Sequence, residues 1–476
     1  YYMVSTTMHF MPGCEILQSF DLVHWEHVTY VYETLDHTDA QQLKSGQNIY
    51  GQGMWAASLR YHEGRFCICF VANDTRKTYL YTSEKIDGPW KKQLIEGFYH
   101  DGSLLFDEDG RNYIVYGNDE IWITELNEDL TAPKKDGLHR LLVSDHKNPE
   151  LGYEGSHIQK INGYYYIFLV HSLRDRWMRT EACFYSDSLE GEFTGGDVLC
   201  DDRGYCGQGV AQGGIVDTPD GKWYAMLFQD SGAVGRIPIL LPVTWKDHFP
   251  FFGQNGHVPE EIEVHSTRPG YIYQPLVGSD DFCNGLLPRW QFNHDPDPRY
   301  YHLDALQGTY TITTREVCTE LTQAVNTLTQ RMGYPSCAAE VTVDASALKE
   351  GDVAGLCALQ SCYAAVGITK HHGKYEVLML DKKEDGILDM TEGTVVESHQ
   401  MDFRLEADFC NMKDEARCYY RVNKGDWLPI GTVHKLYFKL DHFTGCRFGL
   451  FCYAAEETGG SACFRDFKYY DVDEIS

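Results

Sequence analysis

The chain has 476 residues and a formal net charge of −29, from 70 Asp and Glu against 41 Lys and Arg. That length exceeds one ordinary hydrophobic core, so two domains are expected. The charge argues against nucleic acid or an anionic membrane surface as partner.

Aromatic residues make up 13 %, with 32 Tyr and 44 Gly, and short β-prone runs without long helical periodicity point to an all-β protein. There is no run of 18 apolar residues, and no signal peptide is seen. The sixteen Cys lie singly, without a CxxC pair. They are expected as buried reduced thiols, which suits a cytoplasmic location.

In chain order, Tyr1-Tyr2-Met3-Val4-Ser5 reads as the second strand of a hairpin whose turn and first strand would lie ahead of Tyr1. Four fuller versions follow: WAASLRYHEGRFCICFV, YHDGSLLFDEDGRNYIVYG, EGSHIQKINGYYYIFLV and QGGIVDTPDGKWYAMLF. Each pairs two β-prone runs around a turn glycine, at Gly64, Gly110, Gly163 and Gly221, and a tight turn is expected at Asp109-Gly110. Repeats at this period read as blades, so the expected fold is a five-bladed β-propeller over residues 1–255. Residues 256–278 are expected as a linker, and the regularly spaced strands of 279–476 as a β-sandwich. His371-His372 is expected at an exposed hairpin tip.

Nine residues before each turn glycine stand Trp55, Asp101, Glu154 and Gln212. Equivalent positions on innermost strands line one central channel. An aromatic face, two carboxyls and an amide converging there are what a sugar-binding cavity uses.

Several strings then resemble glycoside hydrolase family 43. They are Tyr-Tyr-Met-Val-Ser-Thr-Thr at the start, His100-Asp101-Gly102-Ser103, Glu154-Gly155-Ser156-His157, Gly213-Gly214-Ile215-Val216-Asp217-Thr218 and Ala233-Val234-Gly235-Arg236-Ile237-Pro238. The likeness is greatest to β-xylosidase and α-L-arabinofuranosidase members with a concanavalin-like β-sandwich after the propeller, and Leu328-Thr329-Gln330-Arg331 in the second half fits it.

The resemblance implies an inverting exo-glycosidase acting on xylo-oligosaccharides or arabinosyl substituents. Glu154 matches the general acid. Asp101 matches the carboxylate that orients it and raises its pKa. The general base, an Asp of the first repeat, is expected about ten residues ahead of Tyr1 and so is not present in this chain. Arg236 and Trp55 are expected to bind substrate.

Gln212 departs from the family's frequent His. An amide is a poor transition-metal ligand, although its carbonyl can take calcium. No cofactor is required by this reading, and a structural calcium is weakened as an expectation. The alternative is a non-catalytic oligosaccharide-binding protein, and oligomeric state is left open.

Overall fold

The computed structural model describes residues 1–391 and 393–471. The fold is all-β: a five-bladed propeller followed by a concanavalin-like sandwich. Its helices are short 3₁₀ turns such as Leu440–His442. No helix among the described residues is long and apolar enough to cross a membrane.

The first blade has three strands, Tyr2–Ser5, Gly13–Gln18 and Glu26–Tyr32. The other four blades have four strands each, over 54–95, 103–144, 154–199 and 211–252. The last of these ends in the strand Phe249–Phe252. Alternation along each strand leaves two apolar faces, which successive blades bury against each other. Ile16, Tyr32, Phe70 and Tyr79 pack between blades one and two, Cys69, Leu80, Leu104 and Ile114 between two and three. Tyr113, Ile123, Ile158 and Ile167 fill the next interval, Phe168, Ile215, Leu227 and Phe252 the last. Each such side chain contributes roughly 1.5–3 kcal/mol on burial.

Two hairpins turn as tightly as their sequences suggest. Glu63-Gly64 and Asn162-Gly163 both take positive φ, closing His62 on Arg65 and Ile161 on Tyr164. Asp109-Gly110 does not. Phe106 pairs with Asn112, so residues 107–111 form a wider loop. Asp107 organises it, accepting from Glu108 N (2.7 Å), from Lys160 Nζ (2.6 Å) and from the Tyr165 hydroxyl (2.5 Å). A carboxylate with three donors makes the longer loop the better solution there.

The sandwich stacks a nine-stranded and a seven-stranded sheet around Trp290, Tyr310, Val341, Leu356, Phe403 and Phe448. One edge strand of the larger sheet, Phe10–Met11, comes from the propeller half, pairing Phe10 with Asn293 and Met11 with Phe292. Behind it, buried Arg447 lies over the Phe10 ring at 3.6 Å and donates to Gln291 Oε1 at 2.8 Å. The segment between the domains straps across blade one: Thr267 N donates to Phe20 O (2.7 Å) and Gln274 N to Glu26 Oε2 (2.9 Å). His371 and His372 stand at an exposed hairpin tip. All sixteen cysteines are free thiols; eleven are buried as expected, but Cys200, Cys206, Cys283 and Cys410 are exposed in loops and turns rather than packed on strands.

Candidate active site

The inner strands deliver the site through one repeated irregularity. A register shift falls between Met54 and Ala57, between Glu154 and His157, and between Ala211 and Gly214. Such a bulge leaves residues out of the ladder and re-aims side chains. Trp55 and Gln212 lie within it, and Glu154, paired with Val170, stands immediately before it, so all three sit at the same end of their blades. Asp101 lies just ahead of the fourth inner strand, Ser103–Phe106, with φ of 47°. Gly155 has φ of 68°, and a Cβ there would stand 2.8 Å from Gln212 Cγ, so glycine is required at this point of the Glu154-Gly155-Ser156 string. Buried Arg60 ties the inner strands together, donating to Leu104 O, to Ser103 Oγ and to Ile158 O, each at 2.9 Å.

Asp101 and Glu154 flank one imidazole. His100 Nε2 is 3.6 Å from Asp101 Oδ2 and 3.6 Å from Glu154 Oε2. Asn118 Nδ2 donates to Glu154 Oε2 at 2.8 Å. Behind them lies a cationic wall. Arg179 Nε donates to Asp230 Oδ2 at 3.0 Å and Arg236 Nε to Asp230 Oδ1 at 3.3 Å, so one buried carboxylate holds two guanidiniums. Burial, and then the neighbouring Arg179 charge, pull the Arg236 pKa down to about 10.

The Glu154 shift runs opposite to the direction the sequence reading expects. Burial pushes the Glu154 carboxyl up, but contact with His100 and the charges of His100, Arg179 and Arg236 outweigh it and leave it below its ordinary value. Asp101 is held above its ordinary value, by burial first, with Glu154 adding to it against the pull of His100 and Arg236. His100 is itself raised: burial disfavours its charge, and the two carboxylates more than restore it. The physical reason is placement. The Asp101 side chain is 6 % exposed and Glu154 17 % exposed, and Glu154 has the larger share of the donors. In the free protein the cluster therefore favours a charged His100 and disfavours a charged Asp101, each relative to its ordinary state.

Gln212 does not present a free carbonyl to the channel. Its backbone N–H donates to Glu181 Oε2 at 2.7 Å and its Oε1 faces Arg179 Nη1 at 3.4 Å. His100, Asp101 and Glu154 have the composition of a metal set, their ligand atoms lying within 4.8 Å of one another. Arg236 acts electrostatically on both carboxylates and Arg179 on Glu154, however, so a dication there would face two guanidiniums.

The sandwich supplies one wall. Phe443 meets Trp55 edge-on at 5.4 Å, and Arg236 lies over the Phe443 ring at 4.2 Å. Trp55 and His100 ring centres are 6.1 Å apart. The approach depends on two glycines: a Cβ on Gly235 would sit 2.7 Å from Gly445 N, and one on Gly445 2.1 Å from Val234 O. Cys446 N donates to Ala233 O at 2.8 Å, and Ala233 N to Asp414 Oδ1 at 3.1 Å. Thus the strand carrying Arg236 is fixed by the second domain.

The structure brings together Trp55, Asp101, Glu154, Gln212 and Arg236, as the sequence offsets and strings suggest. His100, Asn118, Arg179, Asp230 and Phe443 complete the site without having been foreseen. His100 stood beside Asp101 in a quoted string, and that adjacency was a usable signal. The others lie at the ends of second and third strands or in the other domain, where the inner-strand offset does not reach.

A propeller with a carboxyl pair, a paired arginine wall and an aromatic lid defines a glycosidase-type site. Residues 1–250 match the glycosyl hydrolases family 43, and residues 279–470 match the beta xylosidase C-terminal concanavalin A-like domain. The chain belongs to glycosyl hydrolase family 43 and is a glycoside hydrolase.

It is similar to a beta-xylosidase of Formosa agariphila, at 25 % identity over 534 residues, covering 99 % of this chain and 86 % of that protein. Among solved structures it is similar to a bifunctional GH43-CE protein of Bacteroides eggerthii, with TM-score 0.91 and 41 % identity. That match covers 100 % of this chain, which spans 61 % of the other. It is also similar to a family 43 enzyme engineered to display both endo-xylanase and exo-arabinofuranosidase activity, with TM-score 0.85 and 27 % identity over 99 % of this chain and 96 % of that one.

Proposed function

We propose that this enzyme releases single xylose units from the ends of xylo-oligosaccharides with inversion, and arabinofuranose as a second product. The observation that carries this reading is the contact of Phe443 with Trp55 and Arg236 beside Glu154, which closes one side of the site and suits one terminal sugar.

Glu154 is the general acid, delivering its proton to the glycosidic oxygen as the bond breaks. His100, 3.6 Å away and raised above its ordinary value by the two carboxylates, is placed to return a proton to it. Asp101 is the positioning carboxylate. It is not the partner that activates water: both carboxylates touch one imidazole nitrogen, so no sugar ring fits between them. Inversion requires the base about 6.5–9.5 Å from the acid. Turnover by this chain beside a version extended upstream with an Asp-bearing strand tests where that base comes from. Binding without turnover in both would favour the oligosaccharide-binding alternative.

The acid assignment is tested by Glu154→Ala. Hydrolysis of xylobiose should fall about 10²–10⁴-fold, and hydrolysis of aryl xylosides with acidic leaving groups should fall much less, because those need little protonation. Equal losses on both substrates would sink the assignment.

A further inference from the structure

The connection 173–178 lies between the strands Tyr164–Ser172 and Arg179–Ser186. Glu154 pairs with Val170, and Ser172 with Arg179, so this loop rises at the Glu154 end of the fourth blade. It is tied to its own stem. Leu173 N donates to Met178 O at 3.2 Å, Met178 N to Ser172 Oγ at 2.8 Å, and Ser172 Oγ to Arg176 O at 3.2 Å. Arg174 is paired with Asp145 at the loop's outer side. A loop with this many internal bonds holds its tip in one place.

At that tip stands Trp177, 42 % exposed. The covered part of the indole packs within the fold, but that packing does not account for the part left open. Its position does. Arg179 lies over the indole at 5.4 Å, and the same guanidinium is bonded to Asp230 and acts electrostatically on Glu154. Trp177 is thus one side chain removed from the acid, on the strand pair that carries it.

A general acid stands on the leaving-group side of the bond it breaks. A pyranose in a β-1,4-linked chain shows an apolar face of C–H groups, which stacks on an open aromatic ring. We propose that Trp177 is the platform for the leaving-group sugar, and that it sets the preference for a second pyranose over other leaving groups. This rests on the xylo-oligosaccharide reading above.

The test uses the full chain with Glu154→Ala to prevent turnover, titrated with xylose and with xylobiose by calorimetry. Adding Trp177→Ala should weaken xylobiose about tenfold, a ratio equal to about 1.4 kcal/mol. Xylose should change by less than about twofold, and Trp177→Phe should keep most of the xylobiose affinity because a ring remains. Equal weakening of both sugars, or unchanged xylobiose binding, would overturn the platform. If the parent binds neither sugar, the xyloside reading itself fails, and that outcome is distinct because it precedes any change at Trp177. In the active enzyme the same substitution should raise KM for xylobiose while leaving kcat within about threefold.

Discussion

His100 sets the charge balance between Asp101 and Glu154. The imidazole stands between two carboxylates that burial alone would both drive up, and its contact draws Glu154 below its ordinary value while Asp101 stays above its own. If Glu154 is the acid proposed above, a lowered pKa makes its reprotonation part of the cycle, and His100 at 3.6 Å is the neighbouring proton carrier. His100→Gln removes that positive charge, so the Glu154 pKa should rise and the alkaline limb of kcat/KM should move to higher pH by about one unit. Titration of activity from pH 5 to 9 checks the direction. An unmoved limb would show that His100 does not govern the acid. At this scale the sequence was informative about identity and mute about charge. The nine-residue offset from each turn glycine reached Trp55, Asp101, Glu154 and Gln212, since repeated blades repeat their inner-strand geometry. The proton's location depends on Arg179 and Arg236 arriving from other strands, which no local pattern encodes.

Among the elements, the ends of the second and third strands of the fifth blade matter most. The strand Trp223–Asp230 ends in the carboxylate that holds both guanidiniums, and Arg236–Lys246 begins with one of them. Removing that carboxylate leaves two like charges buried side by side. Asp230→Ala should therefore cost about 3–5 kcal/mol of stability, read as a lowered urea midpoint, and should damage sugar binding besides. A loss below about 1 kcal/mol would mean that the arginines find other partners. The blade plan itself was legible because apolar runs, turn glycines and spacing all agreed. The loop 107–111 was misread because a dipeptide suited to a two-residue turn was overruled by Asp107 and its three donors.

For the molecule as a whole, the junction of the two domains is built from neutral histidines. His9 from the propeller half, His294 from the first part of the sandwich and His442 beside Phe443 are all buried, with ring centres 4.8 Å and 5.4 Å from His9. Burial pulls His294 down to about 3 and His442 to about 4, and His9 well below its ordinary value. Arg447 disfavours a further positive charge on His9 and His442, whereas Asp441 favours one on His442. A histidine whose pKa is lower folded than unfolded stabilises the fold fully above about pH 6.5, and that contribution is lost as pH falls through the folded value. The melting temperature should therefore drop between pH 6.5 and 4, and His442→Gln should flatten the slope. A melting temperature that is level over that range would contradict it. The histidines gave no sequence signal: each is a lone residue, and only the domain packing gathers them.

The strand Phe10–Met11 carries a consequence for biosynthesis. Residues around position 10 leave the ribosome well before their partners at the sandwich edge, which follow some 279 residues later, the separation between Pro12 and Gln291, which are bonded to each other. At about 5–20 residues per second, that β-edge waits many seconds unpaired while four blades assemble beside it. Unpaired edges recruit other chains. The nascent enzyme therefore passes through a long interval in which this edge lacks its native partner, and its yield in cells should depend on chaperone supply more than its finished stability suggests.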